Sequence, residues 1–113
     1  MYQMGGLYFY GAFADQFVNE AAVEAIGEFC RKHIRKVVKD PKIAELLCPV
    51  HPVGCKRICA DTNYYETYNK ENVQLVSVKT NPLKLVGGKE GKIVLEDGTE
   101  YGPFDMIVFA TGL

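Results

Sequence analysis

Two places in the sequence hold residues whose types could do chemistry. The first is the loop Gly54-Cys55-Lys56-Arg57, where two cations lie side by side in backbone that glycine and proline make irregular. Such neighbours can point in different directions and bind different anions, lysine as a compact charge for a phosphate and arginine as a planar fork. The alternative is a pair of solvated surface cations, which is the usual state of both residue types.

The second place is the end of the chain, where Thr111 and Gly112 follow the apolar run Met106 to Ala110. A continuous apolar run of this length predicts a strand that is buried on both faces. Small residues at the carboxyl end of such a strand let a ligand approach the backbone, and open α/β sheets bind ligands at that end. An ordinary core strand followed by a turn would give the same pattern.

A third set of residues, Cys48, His51, Cys55 and Cys59, has enough ligands for tetrahedral zinc. The set lacks the paired Cys-x-x-Cys spacing that makes a zinc site specific, so we predict no metal. A small zinc-stabilised interaction module remains the alternative function. The chain starts without the basic patch and long apolar run of a secretory signal, which favours reduced thiols and a cytoplasmic protein.

Length and charge narrow the class of protein further. The chain has 113 residues, which suits one domain, and its 13 basic and 14 acidic residues give a formal net charge of -1. A nearly neutral chain gives no general reason to expect nucleic acid or an anionic membrane as a partner. No apolar run approaches the roughly 18 residues that a bilayer crossing needs.

The elements that must position these residues begin with helices. Apolar residues recur at helical spacing after Asn19, a predicted N-cap, and Glu28 can pair with Lys32 across one turn. Asp40 and Pro41 predict a second helix that runs to about Leu47. A third, short helix is predicted to start after Asp61 or Thr62, to end at Asn69, and to contain Tyr64, Tyr65 and Tyr68.

Strands follow the helices. The alternation from Val73 to Val78 predicts one strand, and the runs Leu83 to Val86 and Lys92 to Leu95 predict two more around a glycine-rich turn. Asp97-Gly98 predicts a hairpin turn into Glu100-Tyr101. The fold class predicted for the isolated piece is therefore α+β, with helices first, then a strand and a small antiparallel meander.

These blocks, taken together in order, resemble the middle of the Baeyer-Villiger monooxygenases, flavoproteins of the cyclohexanone monooxygenase type. The resemblance covers about residues 7 to 113 and rests on four ordered blocks, beside which Lys39-Asp40-Pro41 also fits. The blocks are Lys56-Arg57, Asp61 to Asn69, Asn72 to Val76, and Asp105 to Gly112 with Asp97-Gly98 before it.

The resemblance implies a role for each matching residue. Lys56 matches the lysine that helps hold the 2′-phosphate of NADP. Arg57 matches the active-site arginine beside the flavin, where an always-charged fork stabilises the negative charge of oxygen insertion. Ala110, Thr111 and Gly112 match the Ala-Thr-Gly signature where the chain passes from the NADP domain back to the FAD domain. The implied enzyme uses FAD, NADPH and O2 to insert one oxygen atom beside a ketone carbonyl, giving an ester or lactone.

Two departures are local: Ile58 stands where the family usually has proline, and Leu113 stands where it has an aromatic residue. The glycine-rich dinucleotide fingerprint Gly-x-Gly-x-x-Gly is absent, so the chain is predicted to be an internal piece that is inactive and binds neither cofactor alone. The parent is predicted to be an α/β flavoprotein with two dinucleotide-binding domains. A different flavoprotein of that kind, such as an N- or S-oxygenating monooxygenase, is a further alternative.

The resemblance also divides the chain. Residues 1–71 correspond to a helical subdomain and the Lys-Arg loop of the NADP domain, residues 72–103 to its last strand and the meander, and residues 104–113 to the strand leading back to the FAD domain. The aromatic start and an unpaired terminal strand would allow the piece to form a homodimer through exposed edges.

Overall fold

The computed structural model describes residues 18–56 and 62–112, and the chain divides into two compact units, Met1–Leu75 and Val76–Leu113. We call these the first unit and the second unit. Within the described ranges, no helix combines the length and the apolar character that crossing a membrane would require. The aromatic segment at the start of the chain lies outside these ranges.

The first unit opens with helix α1, Glu20–Val37, as the helical spacing predicts. The side-chain oxygen of Asn19 accepts hydrogen bonds from the backbone nitrogens of Ala21 at 3.0 Å and Ala22 at 3.4 Å. These bonds satisfy two of the amide groups that a helix start leaves without intrahelical partners. The prediction of Asn19 as N-cap is therefore confirmed.

Helix α2, Pro41–Leu47, is also confirmed, and it packs on α1. Asp40 caps it by accepting hydrogen bonds from the backbone nitrogens of Lys42 and Ile43, while proline occupies the first turn. The two helices bury one apolar cluster between them, which we call the α1–α2 core: Ile34, Val38, Ala44 and Cys48, with Ile43, Leu47 and Tyr65 packed against it.

Helix α3, Tyr64–Thr67, is shorter than predicted and has a different cap. Asn63 occupies the N-cap position with φ 59°, in the left-handed region, and its side chain caps no amide. Thr67 instead donates from its hydroxyl to the Asn63 carbonyl at 2.8 Å. The prediction of Thr62 as N-cap is wrong because asparagine, which tolerates the left-handed region, makes the turn one residue later; Asp61, the other predicted cap, lies outside the described residues.

The ion pairs along α1 differ from the predicted Glu28–Lys32 pair. Glu28 accepts from Arg31 at 3.0 Å and from Arg35 at 3.5 Å, and Arg31 also pairs with Glu24. One arginine fork has several donors and can serve two carboxylates at once, which the single ammonium of a lysine does less well. The arginines therefore take the partner that sequence spacing assigned to Lys32.

The second unit contains a three-stranded antiparallel meander, as predicted. Its strands are β1, Leu83–Gly87, β2, Lys92–Leu95, and β3, Glu100–Tyr101, in the order β1-β2-β3. Gly91, at the turn before β2, has φ 59°, and a methyl group there would lie 2.8 Å from the carbonyl oxygen of Phe104. Glycine is required at this point because the chain after β3 returns to it, with the Phe104 nitrogen donating to the Gly91 carbonyl at 2.9 Å.

Two predicted strands do not form. Residues 73–78 have no strand pairing, and neither does the run from Met106 to Ala110. That run was predicted to be buried on both faces, yet Met106 is 79% exposed, Val108 76% and Phe109 70%. A strand needs a hydrogen-bonded neighbour, and among residues 18–56 and 62–112 none pairs with either segment.

Candidate functional site

Lys56 lies in the connection that leads from α2 towards α3, and it is exposed. Among the described residues, no carboxylate forms an ion pair with its ammonium group. An exposed ammonium without a carboxylate partner can donate to a phosphate, so the described surroundings fit the predicted contact with the NADP 2′-phosphate. Arg57 lies outside the described residues, and its role beside the flavin stays a prediction.

The connection starts from α2, which is joined to α1 by an ion pair. Glu45, on α2, receives two hydrogen bonds from the Arg35 guanidinium of α1, at 2.6 Å and 3.1 Å. The hydrogen bond from Arg35 lowers the pKa of Glu45, and the same contact raises the pKa of Arg35. Both groups therefore stay charged at neutral pH, and the pair links the exposed sides of α1 and α2.

Three tyrosines pack together at the far end of the connection. The Tyr64 and Tyr68 hydroxyls lie 2.8 Å apart, and Tyr64 stacks edge-on against both Tyr65 and Tyr68 at centroid distances of 5.3 Å and 5.4 Å. Burial, together with the hydrogen bond to Tyr64, raises the pKa of Tyr68 to about 12. Tyr68 therefore remains protonated at physiological pH. The cluster helps to hold α3 on the α1–α2 core, which Tyr65 contacts.

Asn69 is the residue that sequence reasoning underestimated. The sequence predicts only that Asn69 ends α3, but its side chain reaches back to the end of α1, where it forms hydrogen bonds with Lys39 and Val37. A side chain that caps another element from 30 residues away leaves no local pattern. The available signal was an amide side chain directly after a predicted helix, which is common and unspecific.

Ala110, Thr111 and Gly112 belong to the second unit, whereas Lys56 belongs to the first. All three are exposed and have no regular secondary structure. Gly112 has φ 78°, and a methyl group built on it would meet no atom of residues 18–56 and 62–112 within 4 Å, so these residues leave room for a ligand beside its backbone. This conformation suits the close backbone approach that the Ala-Thr-Gly ending predicts, although the binding role itself stays a prediction.

The set of residues proposed as a zinc alternative is divided between buried and exposed positions. Cys48 is buried, while His51 and Cys55 are exposed, and Cys59 lies outside the described residues. Burial raises the pKa of the Cys48 thiol, which disfavours the thiolate that zinc requires. In the ranges 18–56 and 62–112, no three His, Cys, Asp or Glu side chains come together as a metal site.

Comparison with characterised proteins gives clear relatives, although no protein-family model matches the chain. A phenazine N-monooxygenase from Lysobacter antibioticus is 42% identical over 108 residues, which is 96% of this chain and 19% of that protein. A Baeyer-Villiger monooxygenase from Pseudooceanicola batsensis is 39% identical over 109 residues, again 96% of this chain and 19% of the relative. The chain thus spans about a fifth of the length of the proteins it matches.

Solved structures of the same kind are similar to this chain in fold. The open crystal structure of cyclohexanone monooxygenase has a TM-score of 0.83 and 39% identity, over 96% of this chain and 20% of that one. The crystal structure of OTEMO in complex with FAD and NADP has a TM-score of 0.80 and 44% identity, over 88% of this chain and 18% of its own length. Such scores at this identity indicate the same local fold and a common ancestry.

The fold and these matches identify the class as the flavoprotein monooxygenases. Within that class, the chain belongs to the Baeyer-Villiger monooxygenase family, of which it corresponds to one segment of about a fifth of the length. The sequence resemblance is thereby confirmed. The zinc module is not favoured, since 96% of the chain aligns with an enzyme of this family.

Proposed function

We propose that this chain is the part of an FAD- and NADPH-dependent monooxygenase that carries the contact to the NADP 2′-phosphate and the segment leading back to the FAD domain. The supporting observation is the 39% identity to a Baeyer-Villiger monooxygenase along 96% of the chain, a stretch long enough that it must span the Lys56-Arg57 loop. In the whole enzyme, two dinucleotide-binding domains hold the cofactors, and the present piece alone is inactive.

The proposed reaction consumes one ketone, one O2, one NADPH and one proton. It yields an ester or lactone, water and NADP⁺, so one oxygen atom enters the carbon–carbon bond beside the carbonyl and the other leaves as water. Bound FAD, once reduced by NADPH, supplies the oxygen-activating chemistry. The residues of this chain contribute charge and position: Lys56 binds the cofactor phosphate, and Arg57 stabilises negative charge near the flavin.

A second candidate reaction is oxygenation of a heteroaromatic nitrogen. The relative at 42% identity is named a phenazine N-monooxygenase, so this segment is shared with an enzyme named for a different oxygen acceptor. The identity to the Baeyer-Villiger monooxygenase is similar, at 39%, so this segment by itself does not favour one oxygen acceptor over the other.

The deciding experiment uses the full-length protein, purified with FAD. It is supplied with NADPH, isotopically labelled O2 and either a cyclic ketone or a phenazine, and the products are analysed by mass spectrometry. We expect a lactone that carries one labelled oxygen atom from the ketone reaction. An N-oxide without any lactone would favour the second candidate, and NADPH oxidation with neither product across a ketone panel would contradict both.

Lys56→Ala is expected to reduce kcat/KM for NADPH about 10- to 100-fold, the usual worth of a hydrogen bond to a charged group. NADH lacks the 2′-phosphate, so its kcat/KM should change little. Steady-state kinetics with both cofactors measures the difference, with Lys70→Ala, another exposed lysine of the first unit, as the control. Equal losses with NADPH and NADH would contradict the phosphate contact.

A further inference from the structure

The side chain of Asn69 makes two hydrogen bonds to backbone far away in the sequence. Its Oδ1 accepts from the Lys39 nitrogen at 2.8 Å, and its Nδ2 donates to the Val37 carbonyl at 2.8 Å. The donor and the acceptor of one amide thereby satisfy both sides of the turn between α1 and α2, where backbone groups have no helical partner. Both distances are typical of well-formed hydrogen bonds.

These two bonds bring the end of α3 to the same place from which α2 starts. α2 is held on α1 by the α1–α2 core and by the Arg35–Glu45 pair. α3 is held there by Tyr65, which packs on that core, and by Asn69 just beyond its last turn. The connection that carries Lys56 therefore starts from α2 and leads to α3, and both of these helices are held on α1.

We propose that Asn69 is a positioning residue for Lys56 and so contributes to the preference for NADPH over NADH. Lys56 itself has no ion pair within the described residues, so its position depends on the anchors of its connection. Asn69 supplies the polar half of the α3 anchor. This inference rests on the proposed function, in which Lys56 binds the 2′-phosphate.

The geometry predicts a selective defect when the amide is lost. A shift of about 1 Å in a binding group can cost up to about 100-fold in rate, because orientation is what the group contributes. Moving Lys56 affects the cofactor that carries the phosphate and spares the one that lacks it. If Asn69 had a purely structural role, its loss would instead lower kcat/KM for NADPH and for NADH by the same factor.

The test compares Asn69→Leu, which removes both bonds at similar volume, with Asn72→Leu, a nearby exposed asparagine. In the full-length enzyme, Asn69→Leu is expected to lower kcat/KM for NADPH about tenfold and to change the value for NADH less than threefold. Asn72→Leu should leave both unchanged. Should Asn69→Leu fail to fold, Asn69→Asp gives the same readout, since it keeps the acceptor for Lys39 but loses the donor to Val37.

A double variant identifies the route of the effect. If Asn69 acts through Lys56, adding Asn69→Leu to Lys56→Ala should lower the NADPH preference no further than Lys56→Ala does alone. An additive loss, or equal losses for NADPH and NADH in the single variant, would overturn the inference. Failure of the proposed function looks different, because the unmodified enzyme would then oxidise no NADPH or form no oxygenated product.

Discussion

Arg57→Ala in the full-length enzyme is expected to reduce formation of the oxygenated product by about 100- to 1000-fold, while FAD stays bound. Removing one group that stabilises developing negative charge in an enclosed site usually costs that much. Arginine suits this role because its guanidinium is charged at every working pH and presents a planar set of donors. The measurement is product formation by chromatography, with bound FAD followed by its visible absorbance.

The fate of the electrons separates this role from simple loss of cofactor binding. If Arg57 acts on oxygen insertion, the variant should still oxidise NADPH, and O2 should be released as hydrogen peroxide in place of product. Arg57→Lys is the matched variant, because it keeps the charge and loses the fork, and an intermediate activity is expected. Product formation at the normal rate in Arg57→Ala would remove the residue from the mechanism.

Helix caps and apolar spacing, which are local sequence patterns, predict most of the helical half of the chain. Asn19 and Asp40 cap their helices, and the apolar spacing finds α1 and α2, because a cap and an amphipathic face are encoded within a few residues. The meander follows for the same reason: glycine-rich turns and short apolar runs between Leu83 and Tyr101 fix the pairing of strands that are adjacent in sequence.

The candidate site was predicted less completely. Lys56 stands out in the sequence as one of two adjacent cations in an irregular loop, and its phosphate role, which the resemblance implies, stays a prediction. The bond from Asn69 to Lys39 leaves no such local signal, since it joins residues 30 positions apart. Sequence spacing alone also does not predict which charged side chains pair with one another. Glu28 pairs with Arg31 and Arg35 because of where their forks reach, which depends on rotamers that sequence does not determine.

The two predicted strands that do not form depend on neighbouring segments and not on local sequence alone. The run from Met106 to Ala110 has the composition of a buried strand. Burial and strand pairing, however, require a neighbouring strand, and no described residue pairs with this segment. In the proposed whole enzyme, the remaining four-fifths of the polypeptide would supply both. The apolar pattern therefore describes the environment for which the segment is suited.

Ile34→Ala is expected to lower the free energy of unfolding of the chain by about 2 to 5 kcal/mol, the usual cost of removing a buried isoleucine side chain. Ile34 is 1% exposed and lies in the α1–α2 core, so truncation leaves a cavity between the two helices. Urea denaturation followed by circular dichroism measures the change, and Ile34→Val, at about 0.5 to 1.5 kcal/mol, gives a graded point if the alanine variant does not fold.

Leu46→Ala is the matched control for that loss. It removes the same number of carbon atoms from α2, but Leu46 is 54% exposed, and alanine favours a helix, so a change below about 1 kcal/mol is expected. Equal losses for Ile34→Ala and Leu46→Ala would mean that the α1–α2 core does not hold the first unit together. Because α2 and α3 are both anchored on that core, a loosened core should also displace Lys56. In the full-length enzyme, Ile34→Ala should therefore lower kcat/KM for NADPH more than kcat/KM for NADH.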